Sequence, residues 1–301
     1  MANIQQKTNP TPAFAAMLKA DSVQAQFKNA LGKHSDSFVA SLIDLYSTDS
    51  QLQTCKPEEV VKQALKAASL QLPINKALGF AYIYVFNNNV KTKDERGMDV
   101  WQKVPTPTFV PGYRGYIQLA MRTGQYRNIN ADVVYDGEMR KVNKLTGEVA
   151  FDGEKTSEKV IGYFCYFELL NGFSKTLYMS VEQMASYALR FAPSLPKGTT
   201  KELLMKKAQE NGNEKGVGWT NNFTAMAMKT VIRQLLGKYG YLSVEMQTGI
   251  ESDRTAEEHS DGAFVETTTA EVIEEPQAIE EISSSAAPEA VNAAPADGPD
   301  Y

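Results

Sequence analysis

The stretch Thr106-Pro107-Thr108-Phe109-Val110-Pro111-Gly112-Tyr113-Arg114-Gly115-Tyr116-Ile117-Gln118-Leu119-Ala120-Met121-Arg122 changes its periodicity in the middle. Thr106–Val110 is short, β-branched and aromatic, and reads as a strand. Pro105 and Pro107 lack the N–H that a central ladder needs, so this strand is expected at a sheet edge. Pro111-Gly112 ends the strand pattern, and Tyr113–Arg122 then reads as a short helix stopped by Gly124. At about 100° per residue, Arg114, Gln118 and Arg122 fall on one helix face, with Tyr113, Ile117 and Ala120 opposite.

Working outward, Gly79-Phe80-Ala81-Tyr82-Ile83-Tyr84-Val85-Phe86 reads as the preceding strand, ended by Asn87-Asn88-Asn89 and a polar excursion. Residues 10–72 read as helical. Phe14, Met17 and Leu18 recur at helical spacing, as do Phe38, Leu42 and Leu45. Pro57 opens another helix, with Glu58 and Glu59 in its first turn and Val60, Val61, Ala64, Leu65 and Ala68 as its apolar stripe. Downstream come strands over Ile129–Tyr135 and Val160–Leu170, then Asn171-Gly172 as a tight hairpin turn into Phe173–Met179. The charged stretches Lys91–Arg96 and Arg140–Lys144 are expected as exposed hairpin tips. Ser180 is expected to cap a helix over Val181–Phe191, Thr200 one over Lys201–Glu210, and a long helix spans Thr220–Lys238. Strands inside a helical frame predict an α+β fold with a small antiparallel sheet, a helical N-terminal region and an acidic tail.

Charge divides the chain unevenly. Of 31 basic and 36 acidic residues, the stretch 251–301 holds 14 acids and one base. Residues 1–250 therefore carry 30 bases and 22 acids, net +8, and the remainder is −13. From Glu251 onward apolar periodicity is lost, and disorder is expected. A basic body calls for a polyanionic partner, and the tail is expected to compete for that site or to serve as a handle for partner proteins.

Several chemistries are excluded. Cys55 and Cys165 form no CxxC pair, and His34 and His259 are the only histidines, too few for a His-based triad or multi-His metal site. Gly32-Lys33 and Gly237-Lys238 are followed by His34 and Tyr239, so neither is a P-loop. The N-terminal residues have no apolar run and no stretch approaches membrane-spanning length, from which a cytoplasmic protein without a membrane role is expected. No cofactor is expected.

Two windows lack carboxylates. Between Asp99 and Asp132 stand Lys103, Arg114, Arg122 and Arg127 with Tyr113, Tyr116 and Tyr126; between Glu214 and Glu245 stand Lys215, Lys229, Arg233 and Lys238 with Trp219, Tyr239 and Tyr241. In the second window Asn222, Lys229 and Arg233 share a helical stripe, with Phe223, Ala227, Val231 and Leu235 turned to the core. Cations track phosphates and aromatic faces stack on unpaired bases of any identity, which is the requirement of sequence-tolerant single-strand binding. The same spacing also suits solvated helix faces and core tyrosines. Asp132, Asp136 and Glu138 have a loose metal-ligand pattern, although Asp136-Gly137 reads more simply as a turn.

At these segments the sequence resembles the RecT family of phage and prophage single-strand annealing proteins. The matching stretches are Leu72-Pro73 leading to Leu78-Gly79-Phe80-Ala81-Tyr82, then Phe109 through Ala120 and on into Arg122-Thr123-Gly124-Gln125-Tyr126. Val160-Ile161-Gly162-Tyr163 with Asn171-Gly172, and Trp219-Thr220-Asn221-Asn222-Phe223 through Met228-Lys229-Thr230-Val231-Ile232-Arg233-Gln234-Leu235, follow in family order. The family usually has Ala-Arg-Ser where this chain has Met121-Arg122-Thr123.

The resemblance implies ATP-independent single-stranded DNA binding and annealing without covalent chemistry, by a homo-oligomeric ring or helical filament on a compact α+β core shared with Redβ-like proteins. It implies an annealed duplex intermediate, a 5′→3′ exonuclease partner and contact with the host's single-strand-binding protein. The expected organisation is an N-terminal helical arm over 1–34 for oligomer contacts, an annealing core over 35–250 and a disordered acidic tail over 251–301. Arg114, Arg122, Arg127, Lys215, Lys229 and Arg233 are expected at phosphates, and Tyr113, Tyr116, Tyr126 and Trp219 as stacking faces or groove walls. Two rivals remain open: a metal-dependent nuclease using Asp132, Asp136 and Glu138, and an oligomeric phage assembly protein whose basic windows are subunit contacts.

Overall fold

The computed structural model describes residues 11–258 except 94–97, 144 and 193–194, with side chains described for these save 89–93, 141, 142 and 255–258. Four helices come first: α1 (Thr11–Leu18), α2 (Asp21–Leu31), α3 (Ser35–Thr48) and α4 (Pro57–Ser69). Their apolar stripes face one another. Phe14 stacks on Tyr46 with ring centroids 3.9 Å apart, and Phe27 meets Phe38 at 5.7 Å. In α4 the buried positions are Val60, Val61, Ala64, Ala67 and Ala68, and Pro57 occupies the first turn, where its missing N–H costs nothing.

A long antiparallel ribbon follows, β1 (Ala81–Lys93) paired with β2 (Asp99–Pro111) in a register running from Ala81↔Pro111 to Lys93↔Asp99. Both strands outrun the apolar segments that announce them. Asn87 and Asn88 pair with Pro105 and Val104, within the ladder rather than at its end. Backbone pairing carries the ribbon outward into polar sequence, where no apolar face is required. The proline expectation holds in a specific way. Pro105, Pro107 and Phe109 share one strand parity, and the Phe109 N–H donates off the ribbon to Gln63 Oε1 of α4 at 3.1 Å. The missing N–H groups of the two prolines therefore belong to the outer edge of β2.

Helix α5 (Tyr113–Arg122) leads to a three-stranded antiparallel sheet in the order β3-β6-β7, with β3 (Tyr126–Tyr135), β6 (Val160–Leu169) and β7 (Ser174–Ser180). In chain order the minor hairpin β4 (Lys141–Val142) and β5 (Val149–Ala150) connects β3 to β6. Ser180 forms a full capping box with Gln183 at the start of α6 (Val181–Phe191), and the Thr200 side chain caps α7 (Lys201–Lys207). Helix α8 (Phe223–Tyr239) starts later than its sequence pattern suggests because Asn222 accepts from the Ala225 N–H and sets the boundary. It packs across β3, β6 and β7 and against α5. One continuous core runs from Phe14 to Met246.

The expectation of disorder from Glu251 is corrected for its first residues. Helix α9 runs from Val244 to Glu258 and packs on β2 and α5. Its seat is Met246, Gly249, Ile250 and Asp253, a helical stripe in which one position is glycine and another a carboxylate. Apolar counting misses such a stripe. The remainder of the acidic tail, 259–301, and the Asp94–Arg96 part of the first charged tip lie outside the described residues, as do 1–10 of the N-terminal arm.

Candidate nucleic-acid interface

The junction of β1, β2 and α5 is built by close backbone approach. Gly79 has φ 70°, a left-handed conformation that glycine adopts without strain. A Cβ on Gly112 would stand 2.1 Å from the Gly79 carbonyl oxygen, and one on Gly115 would stand 2.2 Å from that of Phe80. Helix α5 is thus seated directly on the 79–80 backbone, joining two of the segments singled out in sequence. Tyr82 and Tyr84, two residues apart on β1, share a strand face and stack with centroids 5.2 Å apart.

The side chain of Arg114 reaches over this seat. Its Nε donates to the Tyr113 hydroxyl at 3.2 Å, and its guanidinium lies 5.8 Å from the Tyr113 ring centroid. Burial holds the Tyr82 phenol above its ordinary range, with a smaller push from Tyr113 and an opposing pull from Arg114. Tyr113 is half-buried and Arg114 exposed. The N-cap of α5 is a glycine with no side-chain cap, and the first turn has no acid. Positive helix-end dipole and guanidinium therefore point to the same neighbourhood. Tyr82, Tyr84, Tyr113 and Arg114 together make an aromatic and cationic platform.

Farther along β2, Trp101 is 71% exposed and Lys103 is exposed beside it. Trp101 adds an aromatic face to the expected Tyr113, Tyr116, Tyr126 and Trp219, and like Lys103 it lies in the carboxylate-free stretch between Asp99 and Asp132. Arg127 extends from β3, and its Nη1 bonds the Glu168 carboxylate at 2.8 Å in an exposed ion pair. Lys215 is exposed in the loop before α8. Near the end of α8, Tyr239 has the ammonium groups of Lys238 and Lys175 at 5.0 and 5.5 Å from its ring centroid.

The other expected contacts have structural placements. Tyr116 is fully buried, because α5 turns Tyr116, Leu119 and Ala120 into the core, with Tyr113 and Ile117 half-buried against its edge. Trp219, 5% exposed, packs edge-on against Phe223 at 5.2 Å. Neither ring presents a face to a base in this structure. Arg122 donates to the carbonyls of Leu70 and Gln71 at 2.8 and 2.9 Å and so closes the C-terminal end of α4, where a cation complements the helix dipole. Tyr126 lies against Phe167, and its hydroxyl accepts from the Tyr241 N–H at 2.8 Å, tying β3 to the turn after α8.

Lys229 and Arg233 share the expected stripe, but it leads to an acid. Lys229 Nζ bonds Asp253 Oδ1, Arg233 Nη1 donates to Asp253 Oδ2 at 3.0 Å, and the Tyr116 hydroxyl donates to the same oxygen at 3.0 Å. Arg233 Nη2 also donates to the Tyr187 hydroxyl at 2.8 Å. The Asp253 residue is 1% exposed, and the two cationic side chains 12% and 14%. Three expected DNA contacts from both acid-free windows thus converge on one buried carboxylate of α9.

In the region of the nuclease rival, the Asp132 carboxylate accepts from the Val133 N–H, and Glu138 Oε2 accepts from the Tyr135 N–H at 2.7 Å. Gly137, with φ 91°, makes the expected turn. No group of three potential metal-ligating side chains occurs among the described residues.

The family model described as RecT family matches residues 36–270. The chain is 38% identical over 263 residues to "Uncharacterized protein YqaK" of Bacillus subtilis (strain 168), covering 85% of this chain and 79% of that protein. It is 26% identical over 267 residues to "Protein RecT" of Escherichia coli (strain K12), covering 82% and 86% respectively.

Proposed function

The chain belongs to the RecT family, and from that membership we propose that it is an ATP-independent single-stranded DNA-binding and strand-annealing protein of phage-type recombination. The observation that carries this reading is the Tyr82–Tyr84–Tyr113–Arg114 platform, of which Tyr113 and Arg114 belong to the stretch between Asp99 and Asp132 that has no carboxylate. Phosphates are held by Arg114, Lys103, Arg127 and Lys215, while Tyr113 and Trp101 supply faces on which bases stack regardless of identity. Exchange of Glu168 for a phosphate at Arg127 is inexpensive, because an exposed ion pair contributes only about 0–1 kcal/mol.

The protein performs no covalent step in this mechanism. It holds one strand by its backbone, leaves the base edges available and lets pairing select the complement. A homo-oligomeric ring or filament extends the same surface along the strand, with a 5′→3′ exonuclease and the host single-strand-binding protein as cytoplasmic partners. The test mixes two complementary labelled oligonucleotides with the protein, without ATP. Full-length duplex should form faster than in the protein-free control. No acceleration overturns the reading, and Mg²⁺-dependent shortening of the strands favours the nuclease instead.

A further inference from the structure

We propose that Lys229, Arg233 and the Tyr116 hydroxyl form a second phosphodiester site, which α9 fills with the Asp253 carboxylate, so that α9 is a strap displaced by DNA. This inference rests on the single-strand-binding reading above and extends it to a site that the unbound protein keeps closed. The donor set is the first argument. Two cations and a hydroxyl from α5 and α8 converge on both oxygens of one carboxylate. A phosphodiester has the same single negative charge and two non-bridging oxygens, so it accepts the same hydrogen bonds. Lys229 and Arg233 both pair with Asp253, and an anion leaving the site must be replaced by another anion or by water. Burying a charge pair is expensive, but exchange of one oxyanion for another preserves the pairing.

The second argument is how lightly α9 is held. Among its described side chains, Met246 is the only wholly buried apolar one, while Val244 is 75% exposed. At Gly249 an added Cβ would meet Leu119 Cδ1 of α5 at 3.2 Å. Thr248, Gly249 and Ser252 are weak helix formers. A helix whose described side chains seat Met246 fully and Ile250 partly, beside a glycine and the Asp253 carboxylate, is suited to undocking when the partners of that carboxylate are taken by a competitor. The third argument is position. Tyr116 belongs to the same helix as Arg114, so a strand lying along the α5 platform passes within one helix of the closed site.

The experiment uses the full chain and a labelled oligonucleotide. Amide hydrogen exchange is followed over residues 244–258 with and without saturating oligonucleotide. Protection over that segment should fall on binding; unchanged or increased protection overturns the strap. In parallel, Asp253→Asn should tighten the dissociation constant by about tenfold, the factor by which a site open one-tenth of the time is masked. Adding Lys229→Gln should remove that gain, whereas Glu251→Gln, with the same change in net charge, should not reproduce it. Equal gains from Asp253→Asn and Glu251→Gln would reduce the effect to general charge and overturn the site. If the wild-type chain binds no oligonucleotide, the single-strand reading itself fails; if it binds while α9 stays protected, only the strap fails.

Discussion

The two acid-free windows are alike in sequence, but their cations meet different neighbours in space. In the first, Arg114, Lys103 and Trp101 stand at the surface of a ribbon and a helix, and the exposed Arg127 engages the half-buried Glu168 of the neighbouring strand. In the second, Lys229 and Arg233 are drawn inward by Asp253, which is 20 residues beyond Arg233 in the chain. A window free of carboxylates along the sequence is therefore not free of them in the fold. The electrostatic surface is set by which helices return to the window, and α9 returns to only one of the two functional positions on α5: it reaches the Tyr116 side and leaves Arg114 exposed.

The two tryptophans give the largest break in this comparison. Trp219→Ala in the second window should cost about 3–5 kcal/mol of stability in urea unfolding, because a ring packed on Phe223 is removed from the core. Trp101→Ala in the first should leave unfolding within about 0.5 kcal/mol of wild type. Its effect should fall on DNA, weakening oligonucleotide binding by about 1–3 kcal/mol if one base stacks on it. Equal stability losses for the two variants would contradict their assigned surroundings. A smaller difference separates the tyrosines of α5. Tyr116→Phe removes a buried donor to Asp253 and should lower stability by about 1 kcal/mol, whereas Tyr113→Phe should change unfolding by less than about 0.5 kcal/mol. Urea titrations of the two variants side by side check the assignment.

Much of this arrangement is legible in the residues. Pro111-Gly112 and Gly124 bracket α5 where the helix is found, Ser180 caps α6, and Asn171-Gly172 turns β6 into β7. Local chemistry determines these features, so local reading recovers them. The ribbon beyond Phe86 was not legible, because a two-stranded ladder extending into solvent needs no apolar alternation. Helix α9 was hidden for a different reason. Its core-facing stripe contains Asp253, and a carboxylate is buried only when distant partners neutralise it. Those partners lie on α5 and α8, remote in sequence from α9. For the same reason the type and spacing of Tyr116, Lys229 and Arg233 do not reveal that Asp253 engages all three, nor those of Arg122 that it closes the end of α4. Trp101 could have been selected, since it satisfies the same acid-free criterion as Lys103; its exposure on the ribbon is what distinguishes it from a core aromatic.

The measurement closest to the central claim is the salt dependence of oligonucleotide binding by Arg114→Ala beside wild type. If the α5 platform holds the strand, losing one phosphate contact should flatten the slope of log affinity against log salt by about 0.7, with the urea midpoint unchanged. An unchanged slope and affinity would contradict the account and remove the first window from the DNA surface.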